Sequence, residues 1–300
     1  MDRARVPLGR HPSRMRNTVS RMGDLAADTA VEQVGDGRYV AKLSREWEIW
    51  GPMGGYVASV ALRAAGASSQ FARPVSFFCH YLGVAKFERI DLKVTPLRAG
   101  RTALSQRVSV TQDGRTILDA TVWSVGENDG LEHDDAEAPH VPGPNELQPI
   151  EELVPDSPAP FPFWGNLEMR PVHFNKTWPP SGPLAPVWQA WCRFRPTATF
   201  QADPWVDACR SVILVDVQSW PSASSRHAWK EPHGFIAPSL DLYVGFHTLA
   251  ADQPWLLADG HAPLSRDGMF GWTGRLWTPG GRLVASGGGQ ALYRRVPATP

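Results

Sequence analysis

Asp241 stands inside the apolar run of residues 240–246. An acid there is costly unless it is paired or functional, which makes it a candidate reactive carboxylate. A solvent-facing place at a sheet edge is the other reading that strand alternation allows. Gln290 closes the run Gly287-Gly288-Gly289-Gln290. Three glycines weaken a strand and mark close approach by another group, which suits the wall of a site; a flexible terminal strand is the alternative. Gly54 and Gly55 open an alanine-rich apolar segment, with Tyr56 as its first residue beyond the turn. Amides at a helix start point outward with partial positive charge, so this turn could hold an oxyanion with no side chain in the way. A plain glycine turn fits the same residues. A carboxylate, a carboxamide and an oxyanion-binding turn are groups that water-assisted attack on a carbonyl uses.

The elements that must position these groups occur twice. Residues 54–65 read as a helix buried on nearly all sides. The stretch from Pro74 to Leu82 follows, then strand-like runs at 90–96, 101–112 and 116–125, with Asp113-Gly114 as a tight hairpin turn. A second pass starts near Asp203 with an apolar helix from Trp205. It continues with a run led by Pro238-Ser239 and strand-like runs at 255–258, 268–277 and 282–287, where Gly280-Gly281 takes the place of Asp113-Gly114. The shared order reads as a duplication. Counting from Ser76 and Ser239, Phe78 is the counterpart of Asp241, so one site per chain is expected. An antiparallel sheet wrapped round one helix leaves its edges open, and two copies joined edge to edge close them, with a ligand cleft where they meet.

The expected organisation is a disordered basic tail over 1–30, a first unit over 31–126, an acidic then proline-rich surface connector over 127–165, and a second unit over 166–296. The tail carries Arg3, Arg5, Arg10, Arg14, Arg16 and Arg21 with no apolar stretch behind them, so it does not read as a secretory signal, and Met22 is a second candidate initiator. Lys+Arg and Asp+Glu balance at 30 each, so there is no global field to gather nucleic acid. No apolar run reaches the ~18 residues of a membrane helix. Cys79, Cys192 and Cys209 are odd in number and lie among apolar neighbours, which suits reduced thiols in the cytoplasm. The histidines show no metal spacing, so no metal and no cofactor are expected. No Gly-x-Ser-x-Gly elbow exists; Asp216 and Ser219 belong to none, which argues against an α/β-hydrolase.

Taken in order, residues 51–65 (Gly-Pro-Met-Gly-Gly-Tyr-Val and its alanine-rich continuation), Ser239-Leu240-Asp241, Trp255-Leu256-Leu257 and the segment from Gly281 to Gln290 resemble the acyl-CoA thioesterase II group of the thioesterase-like superfamily. The resemblance covers roughly residues 35–126 and 165–296. It implies an α+β double hotdog fold that hydrolyses fatty acyl-CoA to free fatty acid and CoA by carboxylate-assisted water attack. Asp241 would be the base and Gln290 would help to hold the water, while Gly54, Gly55 and Tyr56 would form the oxyanion and substrate-binding turn. The family's third member is a Ser or Thr that falls here near Pro263, which has no hydroxyl; Ser265 lies two residues on, an even offset that would restore the same strand face. The family's histidine after the Asp is Leu242 here. These departures leave a second reading, a catalytically weak hotdog protein that binds acyl-CoA. A hotdog hydratase would want a His/Asp pair near residues 54–65, where none occurs, and a bare dimerisation module is what remains if no acyl ligand binds. Association into a homo-oligomer is a further expectation.

Overall fold

A computed structural model describes residues 22–156, 159–177, 179–228, 230 and 235–295. The six arginines of the basic tail lie outside these residues, as does residue 296. In the first half the elements are α1 (Leu25–Asp28), β1 (Glu32–Gly35), β2 (Arg38–Lys42), α2 (Gly54–Ala67), β3 (Arg73–Tyr81), β4 (Arg89–Ala99), β5 (Ala103–Gln112) and β6 (Arg115–Val125). Then come α3 (Ile150–Leu153), β7 (Leu167–Pro171), β8 (Val187–Phe194), α4 (Pro204–Val217), α5 (Ser219–Ser225) and β9 (Phe235–Ile236). β10 (Asp241–Phe246), β11 (Leu256–Arg266), β12 (Met269–Trp277), β13 (Leu283–Leu292) and β14 (Arg294–Arg295) complete the second half.

Twelve strands form one sheet in the order β1-β2-β4-β5-β6-β3-β10-β13-β12-β11-β8-β7. Each half repeats one strand order, and the halves meet where β3 pairs antiparallel with β10, from His80 opposite Asp241 to Ser76 opposite Gly245. What would be an open edge in either half is closed by the other. Alternation then sorts the seam: Phe77, Cys79, Leu242 and Val244 are fully buried under the helices, while Phe78 and Tyr243 face out. This is the double hotdog expected from the sequence.

Both central helices sit on the inner face and run antiparallel to each other. Arg63, late in α2, pairs with Asp203 at the start of α4 at 2.6 Å, and Ser59 reaches the Cys209 carbonyl at 3.4 Å. Asp203 also caps α4, accepting from the amides of Trp205 and Val206 at 3.0 and 3.1 Å, with Pro204 at the first helical position. The start of α2 is thereby laid against the end of α4. That contact brings Gly55 to Asp216.

Several expectations need correction. Residues 24–30, expected as part of the tail, are built into the fold: Asp24 caps α1, Leu25 is buried, and the Asp28 carboxylate accepts from the Trp47 indole at 2.9 Å. The connector does not simply run over the surface. Its middle, residues 138–147, lies on the outer sheet face, where the Pro142 carbonyl accepts from Trp191 and Ala138, Val141 and Leu147 pack on a small cluster of Trp191, Trp255, Leu257 and Trp277. Its end enters the first half's core, with Phe163 buried against Trp47. β11 runs on to Arg266 instead of stopping at 258, because a bulge between His261 and Leu264 accommodates Pro263. Asp267-Gly268 then makes a second tight turn of the Asp113-Gly114 kind, with positive φ at both residues of each pair.

Candidate active site

Asp241 is the first residue of β10, so the strand that joins the halves also carries the candidate carboxylate. The Gln290 amide donates to its Oδ1 at 2.9 Å, while the Leu240 amide donates to the Gln290 carbonyl at 2.7 Å. The carboxylate therefore takes the place of a ladder acceptor and lies between β10 and β13. Close approach explains the glycines beside it. A Cβ at Gly289 would sit 2.4 Å from the Asp241 carbonyl and 2.9 Å from its Oδ1, and Gly288 has a φ of +153. Gln290 contributes its backbone. Its side chain instead covers Gly271 on β12, with Nε2 2.8 Å from where a Cβ there would be.

Across the seam the start of α2 meets an acid that sequence reasoning set aside. Asp216, one residue from the end of α4, is buried, and its Oδ2 accepts from the Gly55 amide at 2.7 Å. Ser239, two residues before Asp241, donates to its Oδ1 at 3.2 Å. Burial pushes the Asp216 carboxyl up to about 6, although both hydrogen bonds pull it down. The same reasoning that singled out Asp241 applied to this acid in its apolar helix. Only the antiparallel helix packing shows what it faces.

Tyr81 ends β3 with its hydroxyl buried and aimed at the same corner. A Cβ on Gly54 would lie 3.3 Å from that hydroxyl oxygen and 3.0 Å from Asp216 Oδ2. Burial, with Asp216 next, pushes Tyr81 and Cys79 well above their ordinary range, so both stay protonated. Asp241 contributes to both shifts, which puts both carboxylates within electrostatic reach of this corner.

The predicted oxyanion turn is partly occupied. The Gly55 amide is held by Asp216, and the Tyr56 amide donates to the Met53 carbonyl at 3.1 Å. Among the described residues the Gly54 amide is the one of these three left open. The Tyr56 side chain faces the first half's core, where its hydroxyl donates to the Asp28 carbonyl at 2.8 Å and its ring stacks on Trp47 at 5.2 Å. Ser265 does not join the site. It pairs with Phe270, level with Ala291 and Ser239, so two strands separate it from Asp241's strand, about 14 Å at ~4.8 Å per strand. Leu242 fills the core. No metal-binding group of His, Cys, Asp and Glu occurs among the described residues. A shallow groove of about 620 Å³ lies on the outer sheet face, lined by Tyr243, Asp259, His261, Thr273, Arg275 and Ser286 among others, away from the seam's helix side.

Asp216 should be visible in stability against pH. Held at about 6 against an ordinary 3.8, it binds its proton more tightly folded than unfolded. Its contribution is fully present below pH 3.8 and is lost as the pH rises through 6, on the order of 3 kcal/mol. His247 works the other way: burial lowers it, so its contribution is present above 6.5 and lost as the pH falls. Asp216→Asn cancels the first and leaves the second. Its thermal midpoint should exceed that of the wild type above pH 6 and approach it near pH 4; a pH-independent gap would contradict the assignment.

Residues 43–125 match the family model described as the acyl-CoA thioesterase N-terminal domain, and residues 133–292 match that of the C-terminal domain. The second match begins inside the segment expected as a connector, in keeping with its packing on the second half. Among solved structures, the acyl-CoA thioesterase II TesB2 of Mycobacterium marinum is 23% identical with a TM-score of 0.74, covering 92% of this chain and 100% of its own. The tesB protein of Mycobacterium avium subspecies paratuberculosis is 22% identical with a TM-score of 0.71, covering 91% and 99%. A hot dog fold protein of unknown function from Alicyclobacillus acidocaldarius is 20% identical with a TM-score of 0.76, covering 91% and 98%. At such identities these structures speak for the fold, while the family models span most of both halves. The chain belongs to the acyl-CoA thioesterase family and is a hydrolase of acyl-CoA thioesters.

Proposed function

We propose that this hydrolysis takes place at the seam between the halves, with Asp241 taking the proton of the attacking water. The observation that carries this reading is the fixed carboxylate at the head of the seam strand, anchored by the Gln290 amide and left uncovered at Gly289. General-base attack needs such a group within reach of a water and a carbonyl. The start of α2, with its open Gly54 amide, supplies a donor from the other half. Both halves are then needed for one site.

The apolar interior beside the seam, with Leu242, Val244 and Val215 buried there, supports a fatty acyl group of medium to long chain and hence a place in lipid metabolism. Three buried free thiols support the cytoplasm as the compartment. No helix among the described residues is long and apolar enough to cross a membrane. Phe78 and Tyr243, paired across the seam and exposed on the outer face, support association of whole chains into a homo-oligomer.

The test is CoA release, followed as free thiol, from a series running from acetyl-CoA to palmitoyl-CoA. Release that rises toward the medium and long chains is the expected result. Release confined to the shortest chains would overturn the fatty acyl assignment. Tight binding without release from any of them would favour a catalytically weak acyl-CoA binder.

A further inference from the structure

The Tyr81 hydroxyl is buried and makes no hydrogen bond of ordinary geometry among the described residues, although the Cys79 thiol lies beside it. Sulfur is a weak partner, and an unsatisfied buried hydroxyl costs about 1–3 kcal/mol. A phenylalanine would fill the same space without that cost. The hydroxyl oxygen lies 3.3 Å from the point a Gly54 Cβ would occupy, at the first residue of the 14-residue helix α2. Two donors without partners among the described residues, the Tyr81 O–H and the Gly54 N–H, thus lie at one corner of the seam, where the helix end adds partial positive charge.

We propose that Tyr81 is a further catalytic residue of the thioester hydrolysis, its hydroxyl holding the carbonyl oxygen of the substrate together with the Gly54 amide as negative charge develops there. This rests on the seam placement of the reaction argued above. Water adds to the carbonyl carbon and its proton passes to the Asp241 carboxylate. The π pair of the carbonyl moves onto oxygen, where the two donors hold it. Collapse re-forms the C=O bond and breaks the C–S bond, whose electron pair leaves with sulfur. The proton on Asp241 passes to that sulfur to give the CoA thiol, and the carboxylic acid product loses its own proton to solvent.

The surroundings keep Tyr81 a donor. Burial and the neighbouring Asp216 hold the phenol protonated. Asp216 itself is held in place, one oxygen accepting from the Gly55 amide and the other from the Ser239 hydroxyl.

Tyr81→Phe in the full chain is the test, with the wild type and Asp241→Asn assayed beside it for CoA release and thermal midpoint. The expected result is a kcat about 10²-fold lower, KM within a few-fold of the wild type, and a midpoint unchanged or higher, because no hydrogen bond is lost. Wild-type kcat in Tyr81→Phe with an inactive Asp241→Asn overturns the role of Tyr81 and leaves the seam reading standing. Wild-type kcat in both overturns the seam reading and Tyr81 with it. If Tyr81→Phe loses stability together with activity, fluorotyrosine at position 81 decides. It keeps the packing and changes the acidity of the phenol, so a kcat that follows acidity supports the donor role and an unchanged kcat overturns it.

Discussion

Asp241→Asn is expected to lower kcat by about 10²–10⁴-fold, the range that a positioned general base contributes. Asparagine keeps the shape and an oxygen acceptor for the Gln290 amide, so the junction of β10 and β13 should hold and the thermal midpoint should stay near that of the wild type. What disappears is the capacity to take a proton from water. KM should change by no more than a few-fold, because the carboxylate acts on the water and not on the CoA moiety. Gln290→Ala makes a sharp contrast. The contact to Asp241 comes from the backbone, which alanine retains, so its kcat should fall by less than about tenfold. Initial rates of CoA release for both variants check this pair. Equal losses would return the Gln290 side chain to the role the sequence proposed for it.

The largest expected effect on stability is at Arg210. It is fully buried in α4, where it holds Asp207 and donates to the carbonyls of Ala198 at 3.1 Å, Gln253 at 2.7 Å and Ala250 at 2.6 Å. The other oxygen of Asp207 accepts from the Ala250 amide at 3.1 Å. The pair therefore ties α4 to the loop before it and to the loop between β10 and β11. Arg210→Met keeps the length and loses every donor, leaving a buried carboxylate without its cation and the Ala198 and Gln253 carbonyls unpaired, for which about 3–5 kcal/mol is expected. Removing the stranded charge as well, in Asp207→Leu with Arg210→Met, should recover part of that loss. Denaturant midpoints of the two single variants and the double variant measure the coupling. A shift of less than about 0.5 kcal/mol for Arg210→Met would show that the network carries no stability.

The sequence was most legible where one short signal dictates one geometry. Asp113-Gly114 reads as a hairpin because both residues take positive φ, and they do. The repeated order of helix, strand and meander is visible because each half must bury one helix under one sheet. β7 and β8 were not read. β8 mixes Trp188, Gln189, Trp191 and Arg193 without clean alternation, because its outer face is itself covered by the connector through Trp191. Of the candidate site, Asp241 and the glycines beside it stood out because they break a pattern within their own strands. Asp216 was passed over because its partner Gly55 is 161 residues away and is brought to it only by the packing of α2 on α4. Ser265 illustrates the opposite error. Counting by twos speaks only to the face of a strand, and the strand order puts β12 and β13 between Ser265 and the strand of Asp241.

The placement of the reaction is tested most directly by a structure with a CoA ketone in which a methylene group replaces sulfur next to the carbonyl. The carbonyl oxygen should lie about 3 Å from the Tyr81 hydroxyl and the Gly54 amide, with Asp241 facing the carbonyl carbon across one water. The analogue seated instead in the outer groove beside Tyr243 and Arg275, with the seam unchanged, would contradict it.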